Sequence, residues 1–238
     1  MKKKIFVISD VHGHATLMRK ALEEAGYRME DPSHFLIGCG DYFDRGTENM
    51  EVLRYLERVK NKVLLRGNHE DLLLKVLRTG RMEPHNYING TAQTLRSFFG
   101  PYALGDDGAV DLSGHTSNVT WLTEFIGETV DYFETAGHIF VHGWLPVREG
   151  ESGISLLPDW RNAAPEVWAK ARWTRWPNMQ GVCPMPEKTV VCGHYPTCLG
   201  PGRQEGEAGI YYGKGFLAID AGTAMTGQVN VLVLEDEL

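Results

Sequence analysis

Short apolar runs recur along the chain, and each ends at a turn carrying oxygen or imidazole side chains. Lys4-Ile-Phe-Val-Ile-Ser9 runs into Asp10-Val-His12-Gly13, Phe35-Leu-Ile-Gly-Cys39 into Gly40-Asp41, and Lys62-Val-Leu-Leu65 into Arg66-Gly-Asn68-His69. Later, His138-Ile-Phe-Val141 runs into His142-Gly143, Thr189-Val-Val-Cys192 into Gly193-His194, and Phe216-Leu-Ala-Ile219 into Asp220-Ala-Gly222. Continuous runs this short and rich in Val and Ile predict strands buried on both faces. Helical periodicity follows the first three. Thr16–Ala25 carries Leu17, Ala21 and Leu22 and stops at Gly26. Glu48–Lys60 carries Met50, Leu53 and Leu56, and Glu70–Arg78 carries Leu73, Leu74 and Leu77 with Gly80 beyond. Further helices are predicted at Ala92–Phe99, Asn118–Ile126 and Pro165–Ala171, and a last strand at Gln228–Glu235. Strands alternating with helices predict an α/β core.

In α/β sheets ligands collect beyond the carboxyl ends of the strands. A single His after a strand is commonly structural. Several strand ends all bearing Asp, His or Asn have one joint explanation, a shared site. The donors are Asp10, His12, Asp41, Asn68, His142 and His194. They are oxygens and imidazoles without a thiolate, which suits borderline divalent metals. Six are more than one tetrahedral ion needs, and two ions sharing a bridging carboxylate would use them all. Such a pair, roughly 3.5–4 Å apart, polarises a phosphoryl group and activates a bridging hydroxide for in-line attack.

Composition narrows the partners. The 238 residues carry 31 acidic and 24 basic side chains, a net charge of -7. That balance argues against a general nucleic-acid binder. The apolar run after Lys2-Lys3-Lys4 stops at Ser9-Asp10, too soon for a signal peptide, and no stretch approaches membrane-spanning length. Cys39, Cys183, Cys192 and Cys198 form no C-x-x-C pair. They fit reduced thiols of a cytoplasmic protein. Length and pattern predict a single domain over 1–238, with a tryptophan-rich, insertion-like segment at about 144–186. Trp144, Trp160, Trp168, Trp173 and Trp176 read either as a subdomain core or as a wall of the substrate groove.

Asp10-Val-His12-Gly13, Gly40-Asp41-Tyr-Phe-Asp44-Arg45-Gly46 and Gly67-Asn68-His69-Glu70 together resemble the signature set of the PPP family of metallophosphoesterases. That family includes Ser/Thr protein phosphatases, bacteriophage lambda phosphatase and symmetrical diadenosine tetraphosphatases. The resemblance spans about residues 4–224. It implies a calcineurin-like β-sandwich of two mixed sheets flanked by helices. It also implies that Asp10, His12 and Asp41 hold one metal. Asp41 would bridge to a second, completed by Asn68, His142 and His194. His69 would be the general acid that protonates the leaving alkoxide, oriented by Asp44. The chemistry of the residues agrees, since an imidazole can supply that proton and a carboxylate can hold the ring.

Phosphate would be held by Arg45, whose fork is bidentate, with Asn68 beside it. A second phosphate arginine, expected after a tryptophan, is matched by Arg175 in Trp173-Thr174-Arg175, with neighbouring Arg172 as the alternative. Manganese is the expected metal in vitro, with iron, zinc, nickel or magnesium as the others. Arg66 reads as an ion pair beneath the site, and Glu70 and Asp71 as acids favouring a helix start. His14 reads as a surface or supporting group, His34, His85, His115 and His138 as structural or solvated, and Asp220 as structural support.

The leading expectation is a serine/threonine protein phosphatase. Asp44, Glu70 and the segment Tyr87–Thr94 favour it. The alternative is a symmetrical bis(5'-nucleosyl)-tetraphosphatase. Tyr195 in Gly193-His194-Tyr195-Pro196 and Trp144 after His142-Gly143 depart from the family's usual residues beside the pocket. A non-catalytic phosphoprotein-binding module would have lost a ligand or the acid, and none is lost.

Overall fold

Alternate residues of the first strand face two different cores, and the whole architecture follows from that. In β1 (Lys2–Ile8), Ile5 and Val7 enter one apolar cluster while Phe6 and Ile8 enter another. A strand that is apolar on both faces must be covered on both. The computed structural model describes residues 2–150, 153–179 and 187–238.

After β1 come α1 (Ala15–Glu24), β2 (His34–Gly38), α2 (Asn49–Arg58), β3 (Lys62–Leu64) and α3 (Asn68–Thr79). Helices α4 (Pro84–Asn89), α5 (Thr91–Phe99) and α6 (Thr116–Gly127) follow. The chain then forms β4 (Tyr132–Glu134), β5 (His138–Val141), β6 (Val147–Gly150), β7 (Gly153–Leu156), α7 (Pro165–Ala171) and β8 (Thr189–Cys192). It closes with β9 (Tyr211–Gly213), β10 (Phe216–Ala218), α8 (Thr223–Thr226) and β11 (Leu232–Glu237).

Two mixed sheets result, ordered β11-β1-β2-β3 and β4-β5-β8-β10-β9, beside a β6–β7 hairpin. In the first, β1, β2 and β3 run parallel with antiparallel β11 beside β1; in the second, parallel β5, β8 and β10 are flanked by antiparallel β4 and β9. Register aligns Ile8 with Gly38 and Gly38 with Leu64, so the carboxyl ends of β1, β2 and β3 lie side by side. Cys192 is likewise level with Ala218. Between the sheets Ile5, Val7, Ile37 and Cys39 meet Phe140, Val191 and Ile219. The outer face of the first sheet is covered by apolar residues of α1, α2, α3, α5 and α6.

Outside the second sheet lie Trp144, Trp160, Trp168 and Trp176, all buried. Four of the five tryptophans therefore form a core. Trp173 alone is open, 47% exposed. Residues 180–186, the end of the tryptophan-rich segment, and Cys183 with them, lie outside the described residues.

All six apolar runs expected as strands are strands. The expected last strand is shifted: it begins at Leu232, not Gln228, and runs to Glu237. The preceding residues are held differently, with the Asn230 amide donating to the carbonyls of Ala208 and Ile219. Helix α3 begins at Asn68, before the expected Glu70, so Asn68 and His69 occupy its first turn. The elements α4, α8, β4, β9 and the β6–β7 hairpin are too short to show a period in the sequence.

Candidate metal centre and active site

Backbone strain converges on one place. Among the described residues, the non-glycine positions with positive φ are Asp10 (52°), His12 (45°), Asp41 (56°), Asp44 (71°), Arg45 (65°) and His194 (66°). Side-chain-bearing residues avoid this region, and such strain persists only where surrounding contacts impose it. Here the imposing contacts are visible. The buried Glu70 carboxylate accepts backbone N–H bonds from Asp41 (2.9 Å), Tyr42 (2.9 Å) and Gly67 (2.8 Å). A Cβ at Gly67 would collide with the Asp41 carboxylate, so only glycine fits. Glu70 thus ties the Asp41 turn to the start of α3, a larger part than favouring a helix terminus. Asp71 likewise has a specific partner: it bonds the Arg172 Nε at 2.7 Å.

Asp41 is common to two groups of donor atoms, one with His12 and His69, the other with His142 and His194. Asp41 Oδ2 lies 3.7 Å from His12 Nε2 and 3.8 Å from His69 Nε2, and Oδ1 lies 3.4 Å from His142 Nε2. Asn68 Oδ1 is 2.8 Å from His142 Nε2. Asp10 Oδ2 accepts the His194 backbone N–H at 2.9 Å and a bond from Ser9 Oγ. Its Oδ1, fully buried, has no hydrogen-bond partner among the described residues.

These residues fit a metal pair on three counts. An orphaned buried carboxylate oxygen is costly unless a cation meets it. The tautomers are set: His12 Nδ1 bonds the Phe43 carbonyl at 2.8 Å and His142 Nδ1 bonds the Cys39 carbonyl at 2.7 Å, leaving both Nε2 atoms free to ligate. Protonation is also right. Burial, with His69 and Arg45 nearby, pushes His12 well below the usual imidazole range. Burial and the neighbouring His142 lower His194 to about 3. Both rings are neutral at pH 7, as ligands must be. Asp10 moves the other way: burial and the Asp220 and Asp41 carboxylates raise it well above the usual carboxylate range. A cation at the buried Asp10 oxygens would favour their ionised form.

One member of the first donor group, His69, also belongs to an imidazole–carboxylate dyad. His69 Nδ1 is 2.8 Å from Asp44 Oδ2. Burial alone would lower this imidazole, but the Asp41 and Asp44 carboxylates reverse that and raise it to about 9. Its Nε2 faces Arg45 Nη2 at 3.4 Å. Arg45 is exposed, and its backbone N–H reaches the Gly90 carbonyl at 3.3 Å. A Cβ at Gly90 would strike the Arg45 backbone. Asp44 itself is wrapped by Thr91 and Thr94. Neither threonine was singled out from the sequence. The only signal was the Tyr87–Thr94 segment that contains them.

The structure separates the two candidate arginines. Arg172 is buried and bonded to both Asp71 and Asp131. Arg175 is exposed, its guanidinium 5.5 Å from the Tyr195 ring centre. The open Trp173 ring stands 5.8 Å from His194, edge to face. Arg66 turns away, donating to Thr129 (3.1 Å) and the Ile126 carbonyl (2.9 Å), with Asp71 at 4.0 Å. His14 bonds the Val11 carbonyl, His34 accepts from the Arg28 amide, His85 pairs with Glu83, His115 abuts Phe99, and His138 bonds Asp236. None of the five joins either donor group. Asp220, buried, accepts from the Gly222 amide.

The sequence and the fold both have known relatives. A model of the family described as Calcineurin-like phosphoesterase matches residues 3–198. The chain belongs to this family of phosphoester hydrolases. It is 30% identical over 99 residues to the asymmetrical bis(5'-nucleosyl)-tetraphosphatase PrpE of Bacillus velezensis, covering 38% of this chain and 40% of that one. It is 33% identical over 78 residues to serine/threonine-protein phosphatase 2 of Escherichia coli, covering 33% and 34%. The match thus spans well under half the length of either relative. In fold it is similar to a protein serine/threonine phosphatase from Saccharomyces cerevisiae, with a TM-score of 0.59 at 15% identity over 99% of this chain and 80% of that one. The expected α/β architecture of two mixed sheets flanked by helices is the observed one.

Proposed function

We propose that the protein is a metal-dependent phosphomonoesterase acting on phosphoserine and phosphothreonine in proteins. The observation that carries this reading is the intact His69–Asp44 dyad, whose imidazole faces both Asp41 and Arg45. A seryl or threonyl alkoxide is a poor leaving group and needs a proton, and this dyad is built to deliver one.

Asp10, His12 and Asp41 would hold one divalent ion, and Asp41, Asn68, His142 and His194 the other. When bound, the ions supply Lewis acidity to the phosphoryl oxygens and make water more acidic. Manganese suits this oxygen and imidazole set. Arg45 and Arg175 bind the remaining phosphate oxygens, Arg45 by its planar fork. With His69 Nδ1 held by Asp44, Nε2 gives its proton to the departing serine or threonine oxygen as the P–O bond breaks. Cys39, Cys192 and Cys198 are free thiols, which supports a reducing compartment such as the cytoplasm.

A second reading, cleavage of dinucleoside tetraphosphates, is favoured by the exposed Trp173 beside His194, which offers a face for a base. Turnover of a phosphoserine peptide and of diadenosine tetraphosphate by one manganese-loaded preparation separates the two. We expect phosphate release from the peptide to dominate. Turnover of the dinucleotide alone would overturn the protein-phosphatase reading.

A further inference from the structure

We propose that Thr91 and Thr94 are positioning residues for the proton donor: their paired hydroxyls lock Asp44 so that it holds His69 in a single orientation toward the leaving group. This rests on the phosphoesterase reading of the site and extends it to α5, an element that contributes neither a metal donor nor a phosphate ligand.

Asp44 is fully buried and sits at a strained φ of 71°. Its two oxygens are both occupied. Oδ2 accepts from Thr91 Oγ1 at 3.0 Å and meets His69 Nδ1 at 2.8 Å. Oδ1 accepts from Thr94 Oγ1 at 2.7 Å, and the same hydroxyl accepts the Asp44 backbone N–H at 2.9 Å. Thr94 therefore closes a ring through the Asp44 main chain and side chain, fixing where the carboxylate starts and where it ends. Thr91 then shares with His69 the oxygen that holds the imidazole. A carboxylate anchored at one oxygen could still pivot; anchored at both, it cannot.

The helix supplies the rest. Thr91 opens α5, whose N-cap is Gly90, and residues three apart lie on one face of a helix. Both hydroxyls are fully buried and aimed at one anion. That anion lies at the amino end of a nine-residue helix, where the backbone dipole favours negative charge. Among the described residues the Thr94 hydroxyl has one other hydrogen-bond partner, the more distant Asn49 Oδ1 at 3.4 Å. Two core threonines could be satisfied in many ways. Pointing both at the one carboxylate that holds His69 costs conformational freedom, and that freedom is removed where the proton transfer needs it removed.

The test uses the full chain loaded with manganese and two substrates, a phosphoserine peptide and p-nitrophenyl phosphate, whose leaving group needs no proton. His69→Asn sets the scale, with loss on the peptide of about 10²–10⁴-fold. Thr91→Val and Thr94→Val keep shape and remove a hydroxyl. We expect each to lower kcat on the peptide by roughly 10-fold and the pair by up to roughly 100-fold, while p-nitrophenyl phosphate turnover stays within about twofold. Thr91→Ser and Thr94→Ser should restore peptide turnover. Equal losses on both substrates, or no loss on the peptide, would overturn the proposal. A second readout needs no activity. In metal-free protein labelled with 15N-histidine, the bonded Nδ1–H signal that disappears in His69→Asn should broaden or vanish in the double valine variant. If that signal is unchanged, the lock does not exist. Should the parent protein hydrolyse neither substrate, the phosphoesterase reading fails while this signal still decides the lock.

Discussion

The two halves of the site place their donors alike, at the carboxyl ends of parallel strands, but hold them differently. In the amino-terminal half each of β1, β2 and β3 leads through its turn into a helix, and the helices grip the turns. Glu70 of α3 ties down the Asp41 turn, and Thr91 and Thr94 of α5 tie down Asp44. In the carboxyl-terminal half, β5 and β8 lead into loops, and their histidines lean on the other half. His142 bonds the carbonyl of Cys39, and the His194 backbone N–H bonds Asp10. The amino-terminal half organises itself, and the carboxyl-terminal half borrows that organisation. Damage to the first should therefore spread, and damage to the second should stay local.

The largest expected effect comes from the residue common to both donor groups. Asp41→Asn should abolish binding of both ions and remove several kcal/mol of phosphoryl charge stabilisation, a loss of roughly 10³-fold or more in kcat/KM. His194→Ala should remove one ion and leave the other. Metal content by mass spectrometry checks both. If His194→Ala strips both ions as Asp41→Asn does, the halves are not unequal in the way described.

Glu70→Ala sharpens the same contrast. It orphans three backbone N–H groups in the Asp41 turn. Each unsatisfied buried donor costs about 1–3 kcal/mol, so a loss of at least ~3 kcal/mol is expected. For a chain of this size that lowers Tm by roughly 6–12 °C. The metal-free protein, studied by calorimetry, isolates the effect from ligation. A Tm within about 2 °C of the parent would mean the turn does not depend on Glu70.

The inequality also explains what the sequence made legible. Amino-terminal donors sit in contiguous motifs, because strand, turn and helix start follow within a few residues and glycines such as Gly67 have no substitute. His142 and His194 lie outside those motifs, readable as histidines after apolar runs and, through the family resemblance, as ligands of the second metal. Contacts closing across long separations were not readable at all. Thr94 meets Asp44 from 50 residues away and Glu70 meets Asp41 from 29, and no local pattern encodes either. The Arg172–Arg175 ambiguity was of the same kind. Two arginines in one short segment look alike until Asp71 and Asp131 claim one of them.

Arg172 is also a tie between halves, joining α7's end to α3 through Asp71 and to the start of β4 through Asp131. Arg172→Met should destabilise by about 1–3 kcal/mol, since both carboxylates are partly open and can rehydrate. Phosphate affinity should stay unchanged. Arg175→Ala should do the reverse, raising KM for a phosphopeptide with Tm constant. Urea unfolding and steady-state kinetics on both variants check the pair. A raised KM in Arg172→Met with Arg175→Ala silent would exchange their roles.

The smallest effect tests a tie at the opposite edge of the sheets. Asp236 on β11, in the first sheet, bonds Thr135 (2.6 Å), the Gly137 amide (3.1 Å) and His138 (2.8 Å) at the β4–β5 turn of the second. Burial opposes ionisation there, but the Thr135 hydroxyl and His138 more than offset it and hold the carboxyl down to about 2. A carboxyl lower in the folded than the unfolded chain stabilises the fold above its ordinary value of 3.8 and stops doing so as pH falls through about 2. After allowance for screening near the surface, the contribution is about 1 kcal/mol. Asp236→Asn should therefore lower urea stability by that amount at pH 6, with the gap to the parent closing between pH 4 and 2. Because this tie touches no donor of the metal centre, metal content and kcat should not change. If they do, the two sheets communicate through their far edge as well as through the site.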